Sequence, residues 1–292
     1  MQASSPGHHC TTKPCAGREP RHAPAVKHSL VLVMLLVATG HAAPRDRAVQ
    51  TAVDTVPELA TVTRGQTRVV VRGLVPKAQR KALVQLVDHV IADVTRRFLD
   101  ASGEPHAEIA LCLFSDATRY RQVASAFGTP IPSDLGFYRG DQRVAIANVG
   151  NGIGNLRHEL AHPLVGDDFP SIPSWLNEGI GALYGTARWN TDHFEFLVNY
   201  RLRDLQRALA SGTLPTLSEL AGAGYETIHG DREMVYYAMA RYVLLYLDRQ
   251  GKLVQFYASM RAARDDGAAQ RKIVLANVDE EAFRAWAKNL RY

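Results

Sequence analysis

Two histidines four residues apart, with a glutamate directly after the first, occur mid-chain in LRHELAH, residues 156–162. An α-helix advances about 100° per residue, so His158 and His162 project from one face, one turn apart. Both imidazoles can therefore reach a single metal ion. Glu159 is turned to the side, where its carboxylate can reach a water molecule on that ion. This His-Glu-x-x-His pattern predicts two zinc ligands and the general base of a hydrolase.

A third protein ligand is expected, because a catalytic zinc ion takes three and leaves one position open. Glu178 is the favoured candidate, since the proline-bearing loop after His162 can turn a second helix back beside the first. Asp168, six residues after His162, is the alternative. Asp167 and Asp168 otherwise serve as surface groups, or hold a ligand imidazole by its second nitrogen. Small residues around Glu178 would let the two helices approach closely: Gly179, Gly181 and Ala182.

The flanking sequence predicts the elements that position these residues. Apolar alternation and apolar runs predict strands at 67–73, 108–114 and 143–150. Strand 143–149 is either a sheet edge that pairs with an extended substrate or an ordinary strand. Apolar spacing of three and four predicts the helices. Strands followed by helices predict an α+β fold with a small N-terminal sheet, a His-Glu-x-x-His helix and a helical C-terminal lobe. Besides the histidine-bearing helix, the predicted helices are 76–99, 116–128, 173–187, 192–210, 231–249, 252–264 and 278–290.

The N-terminal sequence predicts export. Residues 1–42 combine a basic start, a short apolar run and small residues before a cut after Ala42, which together indicate a signal peptide with an extended leader. The apolar run is shorter than the roughly 20 residues that a membrane span needs, although an uncleaved anchor is the alternative. Initiation at Val26 would leave a compact signal. We expect a polar connector at 43–65 and one peptidase domain at 66–292, with an α/β part to about 165 and a helical part from 166.

Charge and cysteine content narrow the classes of partner. The formal net charge of +5 arises mainly in residues 1–42, which hold four basic residues and one acidic residue. The remaining chain has no Lys/Arg-rich stripe, which argues against nucleic acid as a partner. It keeps one cysteine, Cys112, in an apolar run where a buried and inert thiol is expected.

The two segments HELAH and WLNEG resemble those of the gluzincin zinc metallopeptidases, the thermolysin-like clan, and most of all its peptidase-MA-like branch. The specific similarity covers residues 156–185. The resemblance implies a zincin-like fold, with zinc bound by two histidines and a glutamate and a second glutamate as general base. In this chain those residues are His158, His162, Glu178 and Glu159.

A looser similarity continues through YYAMARYVLLYL, residues 236–247. The resemblance implies a tyrosine or histidine that stabilises the oxyanion. We predict Tyr237 in that role, with Tyr236 and His229 as alternatives.

This sequence departs from two groups of the clan. WLNEG is also similar to the zinc aminopeptidases, but the ligand spacing is shorter here and their glycine-rich motif ending in Met-Glu-Asn is absent, which argues against aminopeptidase action. Thermolysin-like members carry a carboxylate four residues after the third ligand, and it orients a histidine. Ala182 occupies that place here. Either another group orients the imidazole, or the site is less well held.

These observations predict a secreted or periplasmic Zn²⁺-dependent metallopeptidase. It would hydrolyse peptide or protein substrates with a zinc-bound water and Glu159 as general base. The competing interpretation is a zinc-stabilised binding or scaffold protein with the same fold and little or no turnover. A non-peptide amide or a cell-wall peptide cross-link would require the same residues.

Overall fold

The computed structural model describes residues 45–99 and 106–292. The predicted signal peptide, 1–42, and its cleavage site after Ala42 lie outside this range. The strands are β1 Glu58–Arg64, β2 Thr67–Leu74, β3 Ile109–Phe114, β4 Gly136–Arg139, β5 Val144–Asn148, β6 Ala187–Asn190 and β7 His193–Phe196. The α-helices are α1 Arg47–Asp54, α2 Lys77–Phe98, α3 Ala117–Ala124, α4 Gly154–Asp168, α5 Ser174–Gly185, α6 Leu202–Ala210, α7 Leu217–Ala221, α8 Tyr225–Ile228, α9 Glu233–Arg249, α10 Leu253–Ala262, α11 Gly267–Asn277 and α12 Glu280–Asn289.

Five strands form one sheet in the order β1-β2-β3-β5-β4. The three inner strands are parallel, and the edge strands β1 and β4 are antiparallel to their neighbours. All six residues of β3 are buried. Alternate side chains of β3 enter one core cluster with α2 and α4 and another with α1 and α3. Helices on both faces explain why this central strand is apolar throughout.

The expected polar connector at 43–65 is wrong, because α1 and β1 occupy most of it. Asp46 caps α1 by accepting hydrogen bonds from two backbone N–H groups of the first turn. The valines of α1 are buried against the sheet. Strand β1 pairs with β2 across a tight turn in which Gly65 has φ +53°. Most side chains of β1 are exposed at the sheet edge, so its sequence lacks the alternation of a half-buried strand.

The predicted strand 143–149 is β5, an ordinary internal strand that pairs with both β3 and β4, so it is not a sheet edge. On this side of the sheet the edge is the short strand β4, which the sequence did not reveal. Its outer side is unpaired within the described residues. Four residues are too few to establish an alternation.

The helical half is largely as predicted, with α5, α9, α10 and α12 inside their expected ranges. The predicted helix 192–210 is wrong in its first part, where a hairpin of β6 and β7 precedes α6. In β7, Phe194 and Phe196 are buried two residues apart, which fits a strand and not a helix. Helices α7, α8 and α11 were not predicted.

One apolar core cluster includes residues of the sheet, α4, α5 and α9. The predicted boundary near 165 falls within α4, which packs against α2, β5 and α5. None of the helices in the described residues is both long enough and apolar enough to cross a membrane.

Candidate functional site

Helix α4 presents two imidazoles into a cavity of about 1100 Å³. The rings of His158 and His162 have centroids 4.7 Å apart and planes at 84°. This arrangement follows from the four-residue spacing, which places both rings on one face of the helix.

Helix α5 folds back beside α4 and brings in the carboxylate of Glu178. Its Oε2 lies 3.3 Å from Nε2 of His158 and 3.9 Å from Nε2 of His162. One donor atom from each of the three side chains lies within 4.8 Å of the others. Ligands of tetrahedral zinc at 2.0–2.1 Å lie roughly 3.4 Å from each other. The spacings from Oε2 of Glu178 to the two ring nitrogens are therefore close to those of such a site.

The environment of Glu178 fits a cation. Its Oε2 is buried and has no hydrogen-bond partner among the described residues, although two ring nitrogens face it. Burial raises the pKa of this carboxyl, but His162 and His158 outweigh that effect and lower the pKa to about 2. An ionised, buried oxygen without a hydrogen bond is costly unless a cation compensates it. Two imidazoles and one carboxylate are also the donor set of hydrolytic zinc sites.

Gly181 of α5 makes room for the two imidazoles. A Cβ atom built there would lie 2.9 Å from Cε1 of His162 and 3.0 Å from Cε1 of His158. Real Cβ atoms do not approach carbon that closely, so any larger residue would displace the rings. Gly179, buried in the same helix, faces α9, where a Cβ would lie 3.2 Å from the carbonyl oxygen of Ala240. The small residues around Glu178 therefore allow both close approaches, as the sequence predicted.

Asn177 provides the imidazole contact that Ala182 cannot. Its Oδ1 lies 3.0 Å from Nδ1 of His162. When Nδ1–H donates to this oxygen, the free lone pair of the ring is on Nε2, the nitrogen that faces Glu178. Sequence reasoning missed Asn177, although its position next to Glu178 in WLNEG is a usable signal.

Glu159 is not part of the cluster formed by the three predicted ligands but lies beside it. It is 7 % exposed, and burial raises its pKa to about 7. Its side chain packs against Gly136 of β4. A Cβ atom built at Gly136 would lie 2.8 Å from Cγ of Glu159 and 3.0 Å from its Oε1. The carboxyl is therefore held next to the edge strand at the cavity wall.

Tyr237 and His229 also line the cavity. The Tyr237 hydroxyl lies 3.3 Å from Nδ1 of His229, whose Nε2 is 3.7 Å from Oε1 of Glu178. Burial raises the pKa of Tyr237, so its hydroxyl keeps its proton and can donate a hydrogen bond. Tyr236 is buried in the apolar core and is not among the residues that line the cavity.

Asp168 and Asp167 each form an ion pair with an arginine. Asp168 forms an ion pair with Arg261 at 2.6 Å and accepts a hydrogen bond from Tyr257 at 2.9 Å. Asp167 is paired with Arg143. Neither aspartate joins the histidine and glutamate group, so the alternative third ligand and the suggested imidazole contact are both wrong.

The chain matches no model of a known protein family, and no curated protein sequence matches it.

Proposed function

We propose that this protein is a secreted or periplasmic zinc-dependent metallopeptidase with a zincin-like fold. The observation that carries the proposal is the convergence of His158, His162 and Glu178 with Glu159 held beside them in an open cavity. A purely structural zinc site has no use for a buried carboxyl next to its ligands, and its coordination is normally closed by a fourth protein ligand. Among the described residues this group has three members.

Zinc bound by these three residues would polarise the substrate carbonyl and make water a stronger nucleophile at neutral pH. Glu159 accepts a proton from the attacking water as the water oxygen bonds to the carbonyl carbon. The same carboxyl group then gives that proton to the amide nitrogen as the C–N bond breaks. Glu159 thereby regains its charge, and the peptide is split into an acid and an amine.

The edge strand β4 supports a peptide as the substrate. Its outer side is unpaired in the described chain, and residues 135–139 line the cavity next to Glu159. An extended peptide can pair with such an edge through backbone hydrogen bonds. The amide bonds of the peptide would then lie along β4, next to the carboxyl group of Glu159.

Tyr237 is proposed to stabilise the oxyanion. Its protonated hydroxyl can donate a hydrogen bond to the carbonyl oxygen as negative charge develops there. A well-placed donor of this kind contributes about 3 kcal/mol to transition-state stabilisation.

The test is hydrolysis of a quenched-fluorescent peptide library by the zinc-loaded chain, with and without a chelator. We expect chelator-sensitive cleavage by the wild type. Glu159→Gln should lower the rate by at least about 1000-fold, because the proton acceptor is lost, while zinc stays near one per chain. Glu281→Gln, an exposed glutamate outside the cavity, is the matched control and should cleave normally.

Two results would contradict the proposal. One is an active Glu159→Gln variant. The other is a wild type that holds one zinc per chain but cleaves no member of the library, which would favour the scaffold interpretation.

A further inference from the structure

Arg201 lies at the start of α6 and lines the same cavity as the proposed zinc ligands. Its guanidinium carbon is 5.0 Å from the ring centroid of Tyr237 and 5.4 Å from that of Tyr200. Aromatic faces orient a guanidinium but do not neutralise its charge. Arg201 is thus a positive group on the wall that carries the proposed oxyanion donor.

No carboxylate of the described chain forms an ion pair with this arginine. Its Nη1 is buried without a hydrogen-bond partner, although the carboxylates of Glu178 and Glu233 line the same cavity. Two other arginines near the site have hydrogen-bond acceptors for their side chains: Arg157 donates to the carbonyls of Tyr184 and Gly185, and Arg241 donates to that of Ala182.

The backbone under Arg201 is well anchored, so the lack of a partner does not reflect a loose segment. The Arg201 N–H donates to Oδ1 of Asn199 at 3.1 Å. The hydroxyl of Tyr242, a fully buried side chain, lies 3.0 Å from the backbone nitrogen of Asn199 and accepts its hydrogen bond. An arginine fixed in this way, without an acceptor, is preorganised for a ligand.

We propose that Arg201 binds a carboxylate of the substrate and makes the enzyme selective for peptides that carry one close to the cleaved bond. This inference rests on the proposed peptidase function. Arginine matches the planar carboxylate group through two parallel N–H···O bonds. Because Arg201 stacks on Tyr237, the bound carboxylate would lie on the oxyanion side of the cavity. The carboxylate is either the C-terminal group of the peptide or the side chain of Asp or Glu.

The test uses peptide retention, so that it does not depend on turnover. Zinc-loaded Glu159→Gln protein is incubated with a mixed pool of N-acetylated tripeptides, and retained peptides are identified by mass spectrometry. The pool contains each peptide as the free acid and as the C-terminal amide, with Glu or Gln at each position. The acid–amide pairs report on the C-terminal group, and the Glu–Gln pairs report on the side chain.

We expect peptides with the recognised carboxylate to be enriched about 10- to 100-fold among the retained peptides over their neutral partners. This range corresponds to the free energy of a hydrogen bond to a charged group. When Arg201→Gln is combined with Glu159→Gln, this enrichment should disappear while the zinc content stays unchanged. The combination of Arg201→Lys with Glu159→Gln should retain a part of the enrichment. Arg203→Gln, an exposed arginine on the same helix, is the matched control and should behave as the parent does.

Equal retention within both the acid–amide pairs and the Glu–Gln pairs, or enrichment that survives Arg201→Gln, would overturn the inference and leave the peptidase proposal standing. If no peptide is retained and the wild type cleaves none, both proposals fail.

Discussion

At the residue scale, the site depends on how each ring nitrogen of His162 is used. Nε2 faces Glu178, and Nδ1 is satisfied by Asn177. Both partners lie on one turn of α5, so a single helix positions the proposed third ligand and contacts the proposed second one. Asn177 thus makes the imidazole contact for which position 182 offers no carboxylate.

Replacing Asn177 should weaken metal binding without removing a ligand. In Asn177→Ala the His162 ring loses the acceptor that holds its orientation and tautomer. We expect zinc affinity to fall about 10- to 100-fold, the range for loss of such an outer contact. Competition with a chromophoric chelator measures this.

Asn177→Asp is the matched control, because it keeps an oxygen acceptor at the same place and should retain tight binding. Wild-type affinity in Asn177→Ala would mean that packing alone holds the ring.

At the element scale, the distance between α4 and α5 decides whether a site can form. Gly181 of α5 lies against both imidazoles of α4. Because glycine has no Cβ, α5 can approach α4 closely at this point. Pro163 follows His162 within α4 and lacks the N–H that would bond the carbonyl of Glu159. Helix α4 therefore lacks one backbone hydrogen bond, at the carbonyl of the proposed general base.

A methyl group at position 181 should disturb both the proposed metal site and the fold. The Cβ of Gly181→Ala would overlap the space of two imidazole rings, which must then rotate or shift. We expect zinc affinity to fall at least about tenfold, and stability of the metal-free protein to fall by about 1–3 kcal/mol from overpacking. Metal competition and urea unfolding in chelator measure the two effects.

Gly166→Ala in α4 is the control, since no atom lies within 4 Å of a Cβ built there. It should bind zinc normally and gain up to about 1 kcal/mol in stability from helix propensity. Unchanged zinc affinity in Gly181→Ala would show that the rings do not need this space.

At the scale of the whole molecule, a buried polar network joins the α/β part to the helical part. Asp93 of α2 is fully buried and accepts hydrogen bonds from Arg96, Arg97 and the Tyr184 hydroxyl of α5. Arg97 continues the network to the carbonyl of Phe194 in β7. The helix that covers the sheet is thereby tied to the helix that carries Glu178.

Removing the buried carboxylate should destabilise the whole fold. In Asp93→Ala the Arg97 side chain, 13 % exposed, loses its main counter-charge. We expect the free energy of unfolding to fall by about 3–5 kcal/mol, the cost of breaking one side of a buried ion pair. Urea unfolding at a fixed zinc concentration measures this, since bound metal adds its own stabilisation.

Asp88→Ala, on the same helix, is the control. Asp88 pairs with Arg64 at the surface, where the side chains are 32 % and 49 % exposed, and its loss should cost no more than about 1 kcal/mol. Equal losses in the two variants would contradict a structural role for the buried network.

The local features were predictable from the sequence. The shared face of His158 and His162 follows from helical geometry, and apolar periodicity predicted β2, β3, α2 and most of the helical half. Such patterns depend on neighbours within a few residues of the chain, which the sequence displays directly.

Only the tertiary structure decided the relations between distant segments. It paired Asp168 with Arg261 and Tyr257, brought Asn177 to the His162 ring and left Arg201 without an ion-pair partner. It also made β4, and not β5, the sheet edge beside Glu159. Local patterns at most suggest such relations, because each depends on which surfaces of separate elements meet, and packing of the whole chain determines that.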